Sequence, residues 1–404
     1  MTSLMYLERT KMPKLKPKSM EYEIRKLVVF VALLTFGQVL VSSLFGLNTF
    51  VISRGDSLFY FAASARVTEL TSFEQLYSGY IYLLHSSQFV SNSGILMVLI
   101  QSTLVILASY SLYSIAEKLG GSRAGWISAA FYLLFPLITQ WTRYILTESI
   151  FYALIIIGMR LATYKRNKWI TPSLICVVII LTLLRPNGVI VACALVTIFI
   201  LSNIKPISVK ALLILLIWVL GSFYGLMLLG SNSVGQVTVQ NTIFERTLEG
   251  NIVFGVKEIS YKMPSPSTSD RSNGAFVNYI LEYPADNLRL GALRLFWEFK
   301  QVRPWYSSSL NVFISLTMFN FYLFSLIGLI KARHKVILRS ITVLTIPSAT
   351  LIAGTWAIWE GRFAWWILVC WIPLFGFGVS YVYEFFSKQI RWGARENSPT
   401  PPSH

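Results

Sequence analysis

Histidine and cysteine are nearly missing from this chain, with three of each in 404 residues. Cys176, Cys193 and Cys370 lie inside apolar runs, so no disulfide is expected in exposed loops and no thiol pair has metal-ligand spacing. His85, His334 and His404 are scattered through different segments, which argues against zinc chemistry. Charge is scarce too. Asp, Glu, Lys and Arg make up 13% of the residues against 54% hydrophobic ones, too apolar a balance for a soluble domain of this length. Acids are scarcest, 18 against 35 Lys and Arg. The resulting net charge of +17 falls in short clusters between apolar runs, the pattern of membrane orientation signals and not of a nucleic-acid interface.

What the chain does have is long apolar runs rich in aromatics. A spanning helix needs about 20 apolar residues, and ten runs qualify as candidates: 27–52, 93–115, 124–142, 148–164, 170–184, 188–204, 211–230, 308–330, 336–357 and 363–386. The expected fold is therefore an all-α polytopic membrane protein of about ten transmembrane helices. The first run is longer than a signal-peptide core and no small-residue cleavage site follows it, so it reads as an uncleaved span. An even number of spans puts both termini on one side. If that side is the cytoplasm, the inner segments hold 21 Lys and Arg against five in the short outer loops, Arg54, Arg66, Arg143, Arg185 and Arg362, as the positive-inside rule requires.

This divides the chain into a basic cytoplasmic tail (1–26), an N-terminal module of about seven spans (27–230) and a large outer-face loop (231–306). A C-terminal module of about three spans (307–387) and a second cytoplasmic tail (388–404) follow. No internal repeat of the kind many transporters carry is visible.

Two outer segments are too long to be turns, and each is expected to carry an interfacial helix. Residues 53–92 contain an amphipathic "FEQLYSGYIYLLHSSQFV", suited to lie along the interface. Within 231–306, "PSPSTSDRSNG" reads as a mobile loop, and "YPADNLRLGALRLFWEFKQVRPWYSSS" as a helix on the outer leaflet. Pro284 suits a first helical turn. Leu288, Ala292, Leu295, Phe296 and Phe299 fall on one face, with Arg289, Arg294, Glu298 and Gln301 on others. The runs 170–184 and 188–204 are short for two spans, so Arg185 in the "LLRPNG" between them either sits at membrane depth, where a charge needs a cavity or a partner, or snorkels to the surface from a hairpin.

The charges that call for explanation lie at the outer ends of different spans: Asp56, Arg143, Glu148, Arg185, Arg303, Glu360 and Arg362. Singly, each is as readily an ordinary solvated loop charge. As a group they are harder to dismiss, because Arg143, Glu148, Glu360 and Arg362 sit in turns of a few residues held close to the hydrocarbon. Arginine suits a phosphate through its planar fork of donors, and a carboxylate can deprotonate a hydroxyl within hydrogen-bond reach. On the outer face, where there is no pool of nucleotide-activated substrates, an activated donor has to arrive attached to lipid.

These residues resemble a family. "GDSLFYFAA" after the first span (55–63), "FPLITQWTRYILTESIF" (135–151), "LLRPNGVIV" (183–191), "EGRFAWWILVCWIP" (360–373) and the segment 283–311 are similar, in order and sidedness, to membrane glycosyltransferases of the GT-C fold. That group includes protein O-mannosyltransferases and the aminoarabinose transferase that modifies lipid A. The resemblance implies a multi-pass protein of the bacterial inner membrane that moves a sugar from a polyprenyl-phosphate donor to a hydroxyl of a glycan, lipid or protein acceptor, with inversion, on the outer face. Carried over, Asp56 is the catalytic base, and Glu148 orients Asp56, an arginine or a sugar hydroxyl. Arg185 and Arg362, with Arg143 behind them, bind the donor phosphate, and Tyr60, Glu360 and Arg303 contact substrate. Many members have Asp-Glu where this chain has Asp56-Ser57. Some relatives use a divalent cation (Mg or Mn), which Asp56 with Glu148 or Glu360 could hold through oxygen ligands.

Two other readings fit parts of the pattern. A polysaccharide polymerase or ligase also uses lipid-linked donors, but its charge would concentrate in the large loop. A lipid-linked-saccharide flippase would favour charges at mid-span, whereas Arg160, Arg339 and Glu384 sit near inner ends where they can snorkel.

Overall fold

The computed structural model describes residues 20–47, 49–91, 93–164, 168–203, 239–266, 273–355, 357–358 and 361–396. The run 211–230, Glu360 and positions 267–272 of the loop read as mobile lie outside them. The chain is predominantly helical. In order, its principal elements are α1 (Met20–Phe45), α2 (Asp56–Ser64), α3 (Ser72–Gln75), α4 (Ser78–Gln88), α5 (Ile95–Leu134), α6 (Pro136–Thr139), α7 (Glu148–Thr163), α8 (Ile170–Leu184) and α9 (Gly188–Asn203). After α10 (Val239–Leu248) come two short strands, β1 (Asn251–Val253) and β2 (Val256–Ser260). The rest is α11 (Asn273–Glu282), α12 (Pro284–Lys300), α13 (Ser308–Lys331), α14 (Lys335–Gly354), α15 (Arg362–Leu368) and α16 (Ile372–Glu396).

Among the described residues four helices, α1, α5, α13 and α14, are long and apolar enough to cross a membrane, and α15 with α16 makes a fifth if that pair, bent by 62°, counts as one. Ten spans are not seen, for identifiable reasons. The run 93–115 and the first part of 124–142 fall on the 40-residue α5, whose two halves meet at a break at Gly120 (φ −146°, ψ 24°) and Gly121 (φ 78°, ψ −176°), the latter a conformation that only glycine tolerates well. The second run continues into α6 and a 3-10 turn instead of one straight helix. Helices α7, α8 and α9 have 16, 15 and 16 residues, about 24 Å at most, short of a hydrocarbon core of about 30 Å. The last run bends because residues 369–371 leave the helix before Pro373 opens α16, a position where proline is well tolerated.

α5 lies at the centre, against α1, α7 and α16; α16 also packs on α13, and α9 on α14. The core is apolar, and unlike that of a water-soluble protein the outer surface of these helices is apolar too. On α13 Ser325 is buried while Leu316, Phe319, Leu326 and Ile330 face outward, and on α1 so do Val28, Val31, Phe36 and Val39. A surface of this kind suits lipid, where close backbone approach and small residues hold helices together. Gly328 of α13 and Gly378 of α16 show that approach, since a Cβ at either would strike the partner helix's backbone, at Leu374 and Phe324 respectively.

Two details depart from the all-α, amphipathic expectation. "NIVFGVKEIS" forms an antiparallel hairpin, with Gly255 at φ +79° in its two-residue turn and β-branched residues on both strands. In α12 the polar side faces the protein: Leu288 and Phe296 are exposed, whereas Arg294 and Glu298 are buried.

Candidate functional site

Four of the charges singled out in the sequence meet in one chain of ion pairs. Asp56 is the first residue of α2, behind Gly55 at φ 58°. Glu148 opens α7, Arg185 follows the last residue of α8, and Arg362 opens α15 behind Gly361 at φ 66°. Carboxylates at helix starts and a guanidinium at a helix end each complement the helix dipole, so three of the four charges sit where their helices favour them.

Arg362 Nη2 lies 2.6 Å from Asp56 Oδ2, and its Nη1 lies 3.4 Å from Glu148 Oε1. The same Glu148 oxygen is 3.0 Å from Arg185 Nη1. The side chains grade from inside to outside: Glu148 is 3% exposed, Arg185 8%, Arg362 13% and Asp56 56%. Arg185 lies about as far from the Phe151 ring as from the Phe363 ring, 5.5 Å from each centroid, and its buried Nε has no hydrogen-bond partner among the described residues. The order along the chain, Asp56, Arg362, Glu148, Arg185, alternates in sign and sums to zero. An anion that draws an arginine off a carboxylate would replace one ion pair of this neutral cluster with another. The outer contact, Arg362 to Asp56 at 2.6 Å, is shorter than the 3.4 Å contact of Arg362 to Glu148, but it is the one that solvent reaches.

Tyr60 joins this cluster from one turn along α2. Its ring stands edge-on to Tyr77 and Tyr80 at 5.7 and 4.9 Å, and Glu148, Arg185 and Thr147 are electrostatic neighbours of its hydroxyl. Burial pushes the hydroxyls of Tyr60 and Tyr77 upward, so both stay neutral and able to donate or accept a hydrogen bond.

Arg143 and Arg303 do not join. Arg143 donates to Ser42 Oγ at 2.5 Å and to the main-chain oxygens of Leu47 and Thr49, pinning the turn after α1, while its own backbone bonds Ile52 (2.9 Å). Arg303 is fully buried and donates to the carbonyls of Trp297 (2.6 Å), Val302 (3.2 Å) and Ile358 (3.4 Å). Both act as struts for backbone. Neither places its charge where a phosphate could replace a carboxylate partner.

The residues present do not fit a divalent cation held by Asp56 and Glu148. Both carboxylates converge on the Arg362 guanidinium, which puts positive charge where the ion would need to be. No group of three or more His, Cys, Asp or Glu with metal-holding geometry exists among the described residues. Glu360, the other ligand considered, is outside them.

The site also includes residues that the sequence did not single out. Tyr77 faces Tyr60, and Tyr152, one turn into α7, donates its hydroxyl to the main-chain oxygen of Arg362 at 2.5 Å. Glu298 and Gln301 reach the loop before Arg362 from α12. One signal was available for the last two: in "FWEFKQVRPW" an acid and an amide sit among aromatics, where polar side chains are retained if the fold satisfies them. Comparison with known proteins adds nothing to this geometry, as no protein-family model, characterised protein or solved structure matches the chain.

Proposed function

We propose that the chain is a membrane glycosyltransferase that moves a sugar from a polyprenyl-phosphate donor to an acceptor hydroxyl, inverting the anomeric centre, with Asp56 as general base. The observation that supports this reading most is the convergence of Asp56, Arg362, Glu148 and Arg185 from four distant stretches of chain, with the carboxylate outermost. In this reading both termini are cytoplasmic and the cluster faces the outer side, at the ends of about ten apolar segments of which several do not span on their own.

The donor phosphate competes with Asp56 for Arg362. A phosphate offers the guanidinium a bidentate partner, so binding draws Arg362 off Asp56 and leaves the carboxylate unpaired beside the sugar. The freed Asp56 carboxylate has open lone pairs with which to accept a hydrogen bond from the acceptor hydroxyl. It then takes the proton of the acceptor hydroxyl as that oxygen bonds to the anomeric carbon. The carbon–oxygen bond to phosphate breaks on the opposite face, its electron pair leaving with the polyprenyl phosphate. Arg362 stabilises the departing charge. Glu148 with Arg185 forms the buried base of the cluster, and Tyr60 offers a neutral hydroxyl to the sugar.

The test is to incubate purified protein in lipid with a panel of polyprenyl-phosphate sugars and measure which are consumed. One donor is expected to be consumed, and Asp56→Asn should lower that rate by about 10²- to 10⁴-fold with the protein still folded in the membrane. Wild-type turnover in the Asn variant would remove Asp56 from the mechanism, and transbilayer movement of a donor without consumption would favour a transporter.

A further inference from the structure

We infer that Glu298 and Gln301 of the α12 end are positioning residues that fix the direction of the Arg362 guanidinium, an inference that rests on the transferase reading of that site. Arg362 is the first residue of α15, and backbone groups on both sides of it are tied to one buried carboxylate. Glu298 Oε2 accepts the N–H of Ile358 at 2.7 Å and its Oε1 accepts the N–H of Ala364 at 2.7 Å, so the two bonds straddle Arg362. Gln301 works on the middle: its Nε2 donates to the Gly361 carbonyl at 2.8 Å, and its Oε1 accepts from Trp365 Nε1 at 3.1 Å.

The fit is close. Gly361 is left-handed at φ 66°, and a Cβ there would lie 2.6 Å from Gln301 Nε2 and 2.7 Å from Arg303. Gln301 alone among the described non-glycine residues has a positive φ, 60°, a conformation that persists where surrounding contacts enforce it and that tends to accompany functional sites. The hairpin adds a further hold, with Ala357 donating to Ile252 at 2.9 Å and accepting from Phe254 at 2.8 Å. Tyr152 holds the Arg362 carbonyl from the other side.

The backbone under Arg362 is therefore fixed from three directions, and the side chain alone is left to move between Asp56, Glu148 and a phosphate. Donors fixed in advance at the place where charge develops need no reorganisation during reaction, and misplacement by about 1 Å can cost on the order of 10²-fold. The hairpin and α12 both belong to the long segment between the two groups of apolar helices. The shape of that segment and the aim of Arg362 are in this way one variable.

The test is a double-mutant cycle in purified protein, with donor consumption as the readout. Gln301→Gly keeps the backbone conformation available and removes the amide bridge; Glu298→Gln keeps the volume and leaves one acceptor where two are needed. Each should lower kcat by about 10- to 100-fold, with the KM for acceptor nearly unchanged. In an Arg362→Gln background, Gln301→Gly should cost less than about threefold, because the group being aimed is gone. Equal losses in both backgrounds would overturn the positioning role while leaving the transferase reading intact. Absence of donor consumption by wild-type protein would instead overturn the transferase reading, and the role of the two residues with it. Hydrogen exchange across 357–364 gives the second measurement: faster exchange is expected in both variants, and unchanged protection would overturn the clamp directly.

Discussion

Two charged regions of this protein use the same side chains for different ends. In one, Asp56, Arg362, Glu148 and Arg185 face each other, charge against charge, and the outermost carboxylate is open to solvent. In the other, Glu298, Arg294 and Arg303 are bonded chiefly to main chain, with Arg303 also attracting Glu298. Glu298 accepts two backbone N–H groups, Arg294 donates to the carbonyls of Asn251 (3.0 Å) and Ala353 (3.2 Å), and Arg303 to three more. A charge held by another charge can be exchanged for a substrate's charge. A charge spent on backbone groups cannot leave without orphaning them, and an orphaned buried donor or acceptor costs about 1–3 kcal/mol. The first region is suited to chemistry, and the second keeps it in place.

The largest expected contrast is therefore in activity. Arg362→Gln should lower sugar transfer by about 10²- to 10³-fold with little change in thermal stability, since Arg362 is a partly open member of the cluster. Arg294→Met should do the reverse, losing stability and folded yield while the fraction that folds keeps most of its turnover. Measuring rate and melting temperature for both variants separates the regions. If Arg294→Met proved the more catalytically damaging of the two, the division would be broken.

Within the first region the inner pair should behave unlike the outer one. Glu148 and Arg185 are buried together, and removing Glu148 strands Arg185, while removing Arg185 leaves the buried Glu148 no ion pair but the longer 3.4 Å contact to Arg362. Arg185→Met alone is expected to destabilise by about 3–5 kcal/mol, whereas Arg185→Met with Glu148→Gln should recover much of that loss. Asp56→Asn, by contrast, should leave stability within about 1 kcal/mol, because an exposed ion pair contributes little. Chemical or thermal unfolding of the four proteins decides this, and equal destabilisation by the outer and inner substitutions would sink it.

How far the residues themselves disclosed this division can be traced position by position. Asp56, Glu148, Arg185 and Arg362 stood out because each interrupts or ends an apolar run, and the fold brings them together. Arg143 and Arg303 stood out on the same grounds and lie elsewhere. Position at the end of a run indicates depth, and it cannot tell whether the partner is a carboxylate or a carbonyl. Periodicity places Glu298 and Gln301 only on faces other than the apolar one of a helix along the outer leaflet. Their partners are 60 residues and more away, beyond any local periodicity. The same blindness explains the spans: hydropathy separated the runs on either side of the Gly120–Gly121 break, but it could not see that several apolar helices are too short to cross alone or that a 62° bend divides the last.

The smallest expected effect concerns pH and again separates the regions. Burial pushes the Glu298 carboxyl up to about 7, against the pull of Arg303 and the backbone N–H groups that would lower it. An unfolded glutamate titrates near 4.3, so the folded state binds this proton more tightly than the unfolded one. A group of that kind contributes stability that is fully present below the unfolded value and lost as pH rises through the folded one. Between about pH 4.3 and 7 the wild-type protein should therefore lose a few degrees of melting temperature that the Glu298→Gln variant, with nothing to titrate there, does not lose. The two curves should differ in slope over that window and run parallel above about pH 8. Identical slopes would mean that Glu298 is already ionised throughout the window, its charge fully compensated by Arg303 and the two amides. The second region would then be an ion-paired one, and its contrast with the Asp56 cluster would rest on exposure alone.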